Sequence, residues 1–146
     1  MNQADSNKLA AILKKHGVVA GYLFGSAERG SLGPHSDIDV AVLFDDELTA
    51  ETDLERRMKL ATEIAEAFNV ISADVIDLKT TIGPLIKYQA IFGGRLILDE
   101  DRERRLQVER EIVNDYEDSR NLRRIRSSVL RQELGSGTFG MKPIFA

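Results

Sequence analysis

The chain has 146 residues, 24 acidic against 20 basic side chains for a formal net charge of −4, and no cysteine. That length suits one domain with a real core, the acidic balance disfavours direct nucleic-acid binding, and the lack of thiols excludes disulfides, zinc–thiolate sites and thiol catalysis. Met1-Asn2-Gln3-Ala4-Asp5 lacks the basic start and apolar run that export needs, and no apolar stretch reaches spanning length, so a soluble, cytoplasmic protein without membrane association is expected.

In chain order, residues 6–16 predict a helix with Leu9, Ile12 and Leu13 on one side, stopped at Gly17. Val18-Val19-Ala20-Gly21-Tyr22-Leu23-Phe24 is apolar, β-branched and aromatic, and predicts a buried strand that halts at Gly25-Ser26. Gly25 permits close backbone approach and an unusual φ, while Ser26 can cap a short helix from about Ala27. A phosphate fits such a turn, held by the Ser26 hydroxyl and free N–H groups. After ten intervening residues, Asp37-Ile38-Asp39-Val40-Ala41-Val42-Leu43-Phe44 predicts a second strand. A period of two puts Asp37 and Asp39 on one face with Cα atoms roughly 6.5–7 Å apart. Carboxylates so placed can share or flank a divalent ion, and without a cation two like charges this close are costly.

Thr52 or Asp53 caps a helix to about Phe68, with Leu54, Met58, Ala61, Ile64, Ala65 and Phe68 as its expected buried stripe. Ser72-Ala73-Asp74-Val75-Ile76-Asp77-Leu78 predicts a third strand. Asp74 and Asp77 then face opposite ways, so only one can join the first pair. Asp74 is selected because it opens its strand as Asp37 does, and Asp77 is assigned to solvent or to capping the next segment of chain. A short helix over residues 85–91, a Gly93-Gly94 turn and a last strand over residues 95–98 come next. A long helix is predicted from about residue 101 to about residue 130, with Leu106, Ile112, Val113, Tyr116, Leu122, Ile125 and Val129 in an interrupted stripe. Arg120, Arg123, Arg124, Arg126 and Arg131 gather towards its end, as a solvated basic face or as a docking surface for an acidic partner. The sum is a mixed α/β (α+β) domain over residues 1–132, with its site at one end of a small sheet. A Gly-rich tail over residues 133–146 carries Phe139, Met141, Ile144 and Phe145, to fold back or to anchor a neighbouring chain.

Gly25-Ser26-Ala27-Glu28-Arg29-Gly30, then Ser36-Asp37-Ile38-Asp39-Val40, then Ala73-Asp74-Val75-Ile76-Asp77-Leu78 resemble the DNA polymerase β-type nucleotidyltransferase superfamily. More narrowly the chain resembles the minimal nucleotidyltransferases, which include MntA antitoxins paired with HEPN-domain toxins. The likeness spans about residues 8–130, and it draws on size, on Ile91-Phe92-Gly93-Gly94-Arg95-Leu96-Ile97-Leu98-Asp99 and on the charged helix with Asp115-Tyr116-Glu117-Asp118. It implies the polymerase β-like fold, Mg²⁺ and triphosphate held by Asp37 and Asp39, outer phosphates gripped by Ser26, and Asp74 completing the metal site and helping to deprotonate the acceptor hydroxyl. Phosphoryl transfer agrees independently, because it needs in-line positioning and charge neutralisation more than covalent help. Arg29 adds positive charge near the phosphates or makes a surface ion pair, and Ser36 hydrogen-bonds a phosphate or caps the turn into its strand.

Among other groups, His16 complements a helix dipole, His35 reads as a turn residue in preference to a base, Lys87 as a solvent-facing lysine in preference to a triphosphate contact, and Asp45-Asp46-Glu47 as an exposed turn. The favoured function is transfer of AMP from ATP to a tyrosine of a HEPN-type toxin, by which the chain acts as an antitoxin. The alternatives are nucleotidyl transfer to a small-molecule alcohol such as an aminoglycoside, for which a homo-oligomer would build the acceptor pocket, and a non-catalytic antitoxin that only binds its partner.

Overall fold

The computed structural model describes residues 1–25, 27, 30, 32–33, 35–45 and 52–135, with the side chains of the last helix described as far as Arg126, Arg123 excepted. Within these, α1 (Gln3–Lys15), β1 (Val18–Phe24), β2 (Asp37–Phe44), α2 (Asp53–Phe68), β3 (Ser72–Asp77), α3 (Pro84–Gly93), β4 (Arg95–Asp99) and α4 (Arg102–Gly135) follow in order. The helix expected from Ala27 involves Ser26, Glu28 and Arg29, which lie outside the described residues, as do residues 136–146 of the expected tail.

The strands form one mixed sheet in the order β3-β2-β1-β4. β1 runs antiparallel to both β2 and β4, whereas β2 and β3 are parallel and joined by the α2 crossover. Alternation along β2 sends Ile38, Val40, Val42 and Phe44 to one face, where Leu9 and Leu13 of α1 and Leu60 and Ile64 of α2 cover them. Ala41 and Leu43 point to the other face, beneath Ala90 and Ile91 of α3 and Val108 and Ile112 of α4. A register shift between Val18 and Ala20 lets Val18 join the first cluster while Ala20 and Tyr22 join the second. Gly21 allows α1 to lie close on the sheet, since a Cβ there would meet Leu13 Cδ1 at 2.6 Å.

Several sequence expectations shift. α1 starts at Gln3 because Asn2 is the N-cap, its side chain accepting from the Asp5 N–H at 2.8 Å. His16 comes directly after the last helical residue as expected, yet its Nε2 lies 2.6 Å from Glu63 Oε2, so a specific pair tethers α1 to α2. In α2, Thr52 caps by accepting from Glu55 N–H, and Asn69 ends the helix at φ 51. Its buried residues are Leu60 and Ile64, while Leu54 and Met58 stay 55% and 61% exposed. Ile64, Ala61 and Phe68 of the predicted stripe do pack on the core, and Leu60 joins them in place of Leu54 and Met58. α4 likewise buries Val108 and Ile112 and leaves Leu122 and Ile125 exposed, because the sheet beneath it ends before the helix does. The helix continues to Gly135, past the predicted stop near residue 130, since no Gly or Pro interrupts it earlier.

α4 is fastened by a polar chain. Tyr22 on β1 donates its hydroxyl to Glu109, Arg105 Nη1 lies 3.0 Å from Glu109 Oε1, and Arg105 Nη2 lies 3.0 Å from Asp99 Oδ2 on β4. Burial and the Glu109 carboxylate push the Tyr22 phenol above its usual range, so it stays a neutral donor. A second polar knot sits where β3 leaves the sheet. Asp77 is 5% exposed rather than solvent-facing, and its Oδ1 accepts from the Lys79 N–H at 2.8 Å, the capping role expected of it. Its carboxyl is hydrogen-bonded to Asp53, which also accepts from Arg57 and Thr80.

Burial pushes the Asp77 carboxyl up to about 6, with the Asp53 charge adding to the shift. A carboxyl raised in the folded state stabilises the fold below its ordinary pKa and loses that contribution as pH rises towards the folded value. Asp77→Asn keeps a donor for Asp53 and cannot ionise. It is expected to be more stable than wild type at pH 8 by about 1–2 kcal/mol, with the gap closing towards pH 4 in denaturant titrations at both pH values.

Candidate active site

The first three residues of β2 and β3 place the acids. In the parallel register Asp37 stands beside Ser72, Ile38 beside Ala73 and Asp39 beside Asp74. Ile38 is fully buried on the α1–α2 face, so Asp37 and Asp39 project from the opposite face, that of α3 and α4. Asp74 shares that face with Asp39 as its register partner, whereas Asp77 is three residues further on and turns to the α2 side. Asp37 and Asp74 are exposed at the sheet end, and Asp39 is half-buried.

Electrostatics ties the acids together. The Asp39 carboxyl is raised above the usual carboxylate range, first by desolvation, then by the charges of Asp74 and Asp37. Three acids on one face with an oxygen-only donor set suit a hard cation such as Mg²⁺, whose charge would relieve their repulsion. Mg²⁺ is commonly held by one or two carboxylates together with substrate phosphates rather than by an all-protein cage. Among the described residues no group of three acidic or histidine side chains is placed to hold one ion, so the three acids by themselves do not form a protein cage for a metal.

Gly25 supplies the second half of the site. It comes directly after Phe24, whose register partner is Asp39, and it ends β1 at φ 74, a left-handed conformation that an L side chain adopts only with strain. A Cβ at Gly25 would collide with Asp39 Oδ2, so the bare backbone lets the turn and the carboxylate share one position. Ser26 and Arg29, singled out as phosphate ligands, lie outside the described residues. Ser36 is committed to its turn: its Oγ accepts from the Gly33 N–H at 2.8 Å and its own N–H donates to the Gly33 carbonyl at 3.0 Å. The hydroxyl hydrogen remains available as a donor.

Ser72 escaped the sequence reading, and Lys87 departs from it. Ser72 donates its hydroxyl to Asp37 Oδ1 at 2.5 Å. Its signal was present, since Ser72 lies two residues before Asp74 and therefore on the same face of β3. Lys87 is 8% exposed rather than solvent-facing, in one stripe with Ala90 and Ile91, because α3 lays that side on the sheet. His35 is exposed. Among the described residues no helix is long and apolar enough to cross a membrane.

Known structures share this fold. The fold is similar to a mutant MntA–HepT toxin–antitoxin structure at 22% identity and TM-score 0.67, covering 92% of this chain and 99% of that one. A toxin–antitoxin structure with AMP-PNP matches at 23% identity and TM-score 0.64, over 88% of this chain and 98% of that one. A structure of a tri-AMPylated Shewanella oneidensis HEPN toxin in complex with an MNT antitoxin matches at 23% identity and TM-score 0.63, over 92% and 99%. Comparison with curated protein sequences gives no match. The family model described as polymerase beta, nucleotidyltransferase, matches residues 7–103, which takes in the Gly25 turn and all three carboxylates. On that match the chain, with its polymerase β-like fold and its acids at the sheet end, belongs to the polymerase β nucleotidyltransferase family.

Proposed function

We propose that this chain is a Mg²⁺-dependent adenylyltransferase that moves AMP from ATP onto a tyrosine hydroxyl of a HEPN-type toxin and thereby silences it. The observation that carries the reading is the row of Asp37, Asp39 and Asp74 on one open face beside the Gly25 turn. Supporting it, the similar structures include an AMP-PNP complex and an AMPylated HEPN toxin with its MNT antitoxin.

In this reading the triphosphate lies along the Gly25 turn, with Ser26 donating to the outer phosphates and Arg29 adding positive charge. Asp37, Asp39 and Asp74, together with the substrate phosphates, would hold Mg²⁺, and the ion would supply neutralisation of the phosphate charge. The acceptor oxygen forms a bond to the α-phosphorus, the bond from that phosphorus to the α–β bridging oxygen breaks, and pyrophosphate leaves. The hydroxyl proton passes to the Asp74 carboxylate, which stands at the open end of the row where an acceptor side chain can approach. The chain thus contributes position and charge rather than a covalent intermediate.

Intact-mass spectrometry of the chain co-expressed with its neighbouring gene product is expected to show AMP-sized additions on the partner. With Asp37→Asn/Asp39→Asn the rate of addition should fall by about 10³-fold or more. A partner that stays unmodified by wild type while forming a stable complex would refute the transfer reading. Gly25→Ala, which drives a methyl into Asp39, is expected to lower the transfer rate by about 10²-fold, because displacing a ligand by about 1 Å is enough. Single-turnover kinetics at saturating ATP checks this.

A further inference from the structure

We propose that Ser72 is a positioning residue for this reaction: it fixes the Asp37 carboxylate by donating to Oδ1 and leaves Oδ2 as the oxygen that would take the cation. The inference rests on the reading of Asp37 as a metal ligand.

Asp37 is the first residue of β2 and is exposed, so packing does not restrict its side-chain torsions. Among the described residues the Ser72 hydroxyl, at 2.5 Å, is the one group hydrogen-bonded to it. Asp39 and Asp74 have no hydrogen-bonded side-chain partner among the described residues; the Gly25 turn crowds Asp39 instead. Asp37 is therefore the acid whose orientation depends on a neighbour.

The parallel register makes Ser72 the direct neighbour of Asp37, and adjacent strands stand about 4.8 Å apart. A one-carbon hydroxyl side chain bridges that gap to a carboxylate, and a longer donor would overshoot it. Ser72 is also an exposed strand residue where a β-branched side chain would favour the strand more, so its value lies in the hydroxyl. The chemistry of the donor matters as well. A lysine or arginine there would neutralise Asp37 and repel a divalent ion. A hydroxyl occupies one lone pair, adds no charge and leaves the second oxygen for the metal. Hydrogen-bond partners that orient a ligand in this way commonly set metal affinity.

The test is Mn²⁺ binding in the presence of AMP-PNP, monitored by the electron paramagnetic resonance signal of free Mn²⁺, with thermal midpoints measured on the same samples. Ser72→Ala is expected to weaken Mn²⁺ binding by about 10-fold with an unchanged midpoint, and Ser72→Thr, which keeps the hydroxyl, to restore most of it. Wild-type affinity in Ser72→Ala, with binding lost in Asp37→Asn, would overturn the role of Ser72 and leave the metal reading standing. Equal losses in Ser72→Ala and Ser72→Thr would also overturn it, since the hydroxyl would not be the cause. Wild-type affinity in both Asp37→Asn and Asp39→Asn would overturn the metal reading itself, and this inference with it.

Discussion

The parallel register between β2 and β3 is the constraint on which the rest of the molecule depends. With Asp39 opposite Asp74 and Asp37 opposite Ser72, two separate stretches of chain become one row of polar side chains at one end of the sheet. A slip of one residue would turn Asp74 to the α1–α2 face and Val75 to the site face. The apolar partners of these acids prevent that slip. Ile38, Val40 and Val75 are buried in the cluster that α1 and α2 cover, and this interlock holds the acids on the other side. The core therefore sets the site geometry directly, one residue of alternation away.

The same row is a point of electrostatic tension. Desolvation and two neighbouring acids raise the Asp39 carboxyl. Such a row is disfavoured unless a ligand uses it, which is why it reads as functional and not as part of the scaffold. Gly25 sharpens the point: its left-handed backbone and its contact with Asp39 would be strained with any side chain. The scaffold deals with its own charges differently. Arg105 is paired with Asp99 and Glu109, and the buried Asp77 shares hydrogen bonds with Asp53 and Lys79. Charges that hold the fold are matched in place, whereas the acids at the sheet end stand beside one another.

α4 joins these two halves. Val108 and Ile112 seal the face on which the acids lie, Tyr116 stacks on Tyr88 of α3 with ring centroids 4.0 Å apart, and the Tyr22–Glu109–Arg105–Asp99 chain fixes the helix to β1 and β4. At 34 residues the helix is about 50 Å long, so it outruns a sheet of four short strands. That mismatch explains why Leu122 and Ile125 are exposed although they continue an apolar pattern.

The local elements and the identity of the acids were legible in the residues themselves. Runs of β-branched and aromatic residues marked β1 and β2 to the residue, and alternation alone put Asp37 with Asp39 and separated Asp74 from Asp77. These are short-range properties, carried by backbone geometry within a few residues. Relations between elements lay beyond the reach of the sequence. The buried side of α2 keeps Ile64, Ala61 and Phe68 of the predicted stripe but takes in Leu60 and leaves Leu54 and Met58 exposed, because periodicity defines a stripe while the sheet decides where its edges are covered. Lys87 is buried for the same reason, and Val108 takes a core place that the α4 pattern did not reveal. The hydrogen bond from Ser72 to Asp37 needed the register between strands 35 residues apart, which no local signal encodes. Tertiary structure alone decided which of the exposed polar residues stand side by side, since that depends on how the strands align and not on what each strand contains.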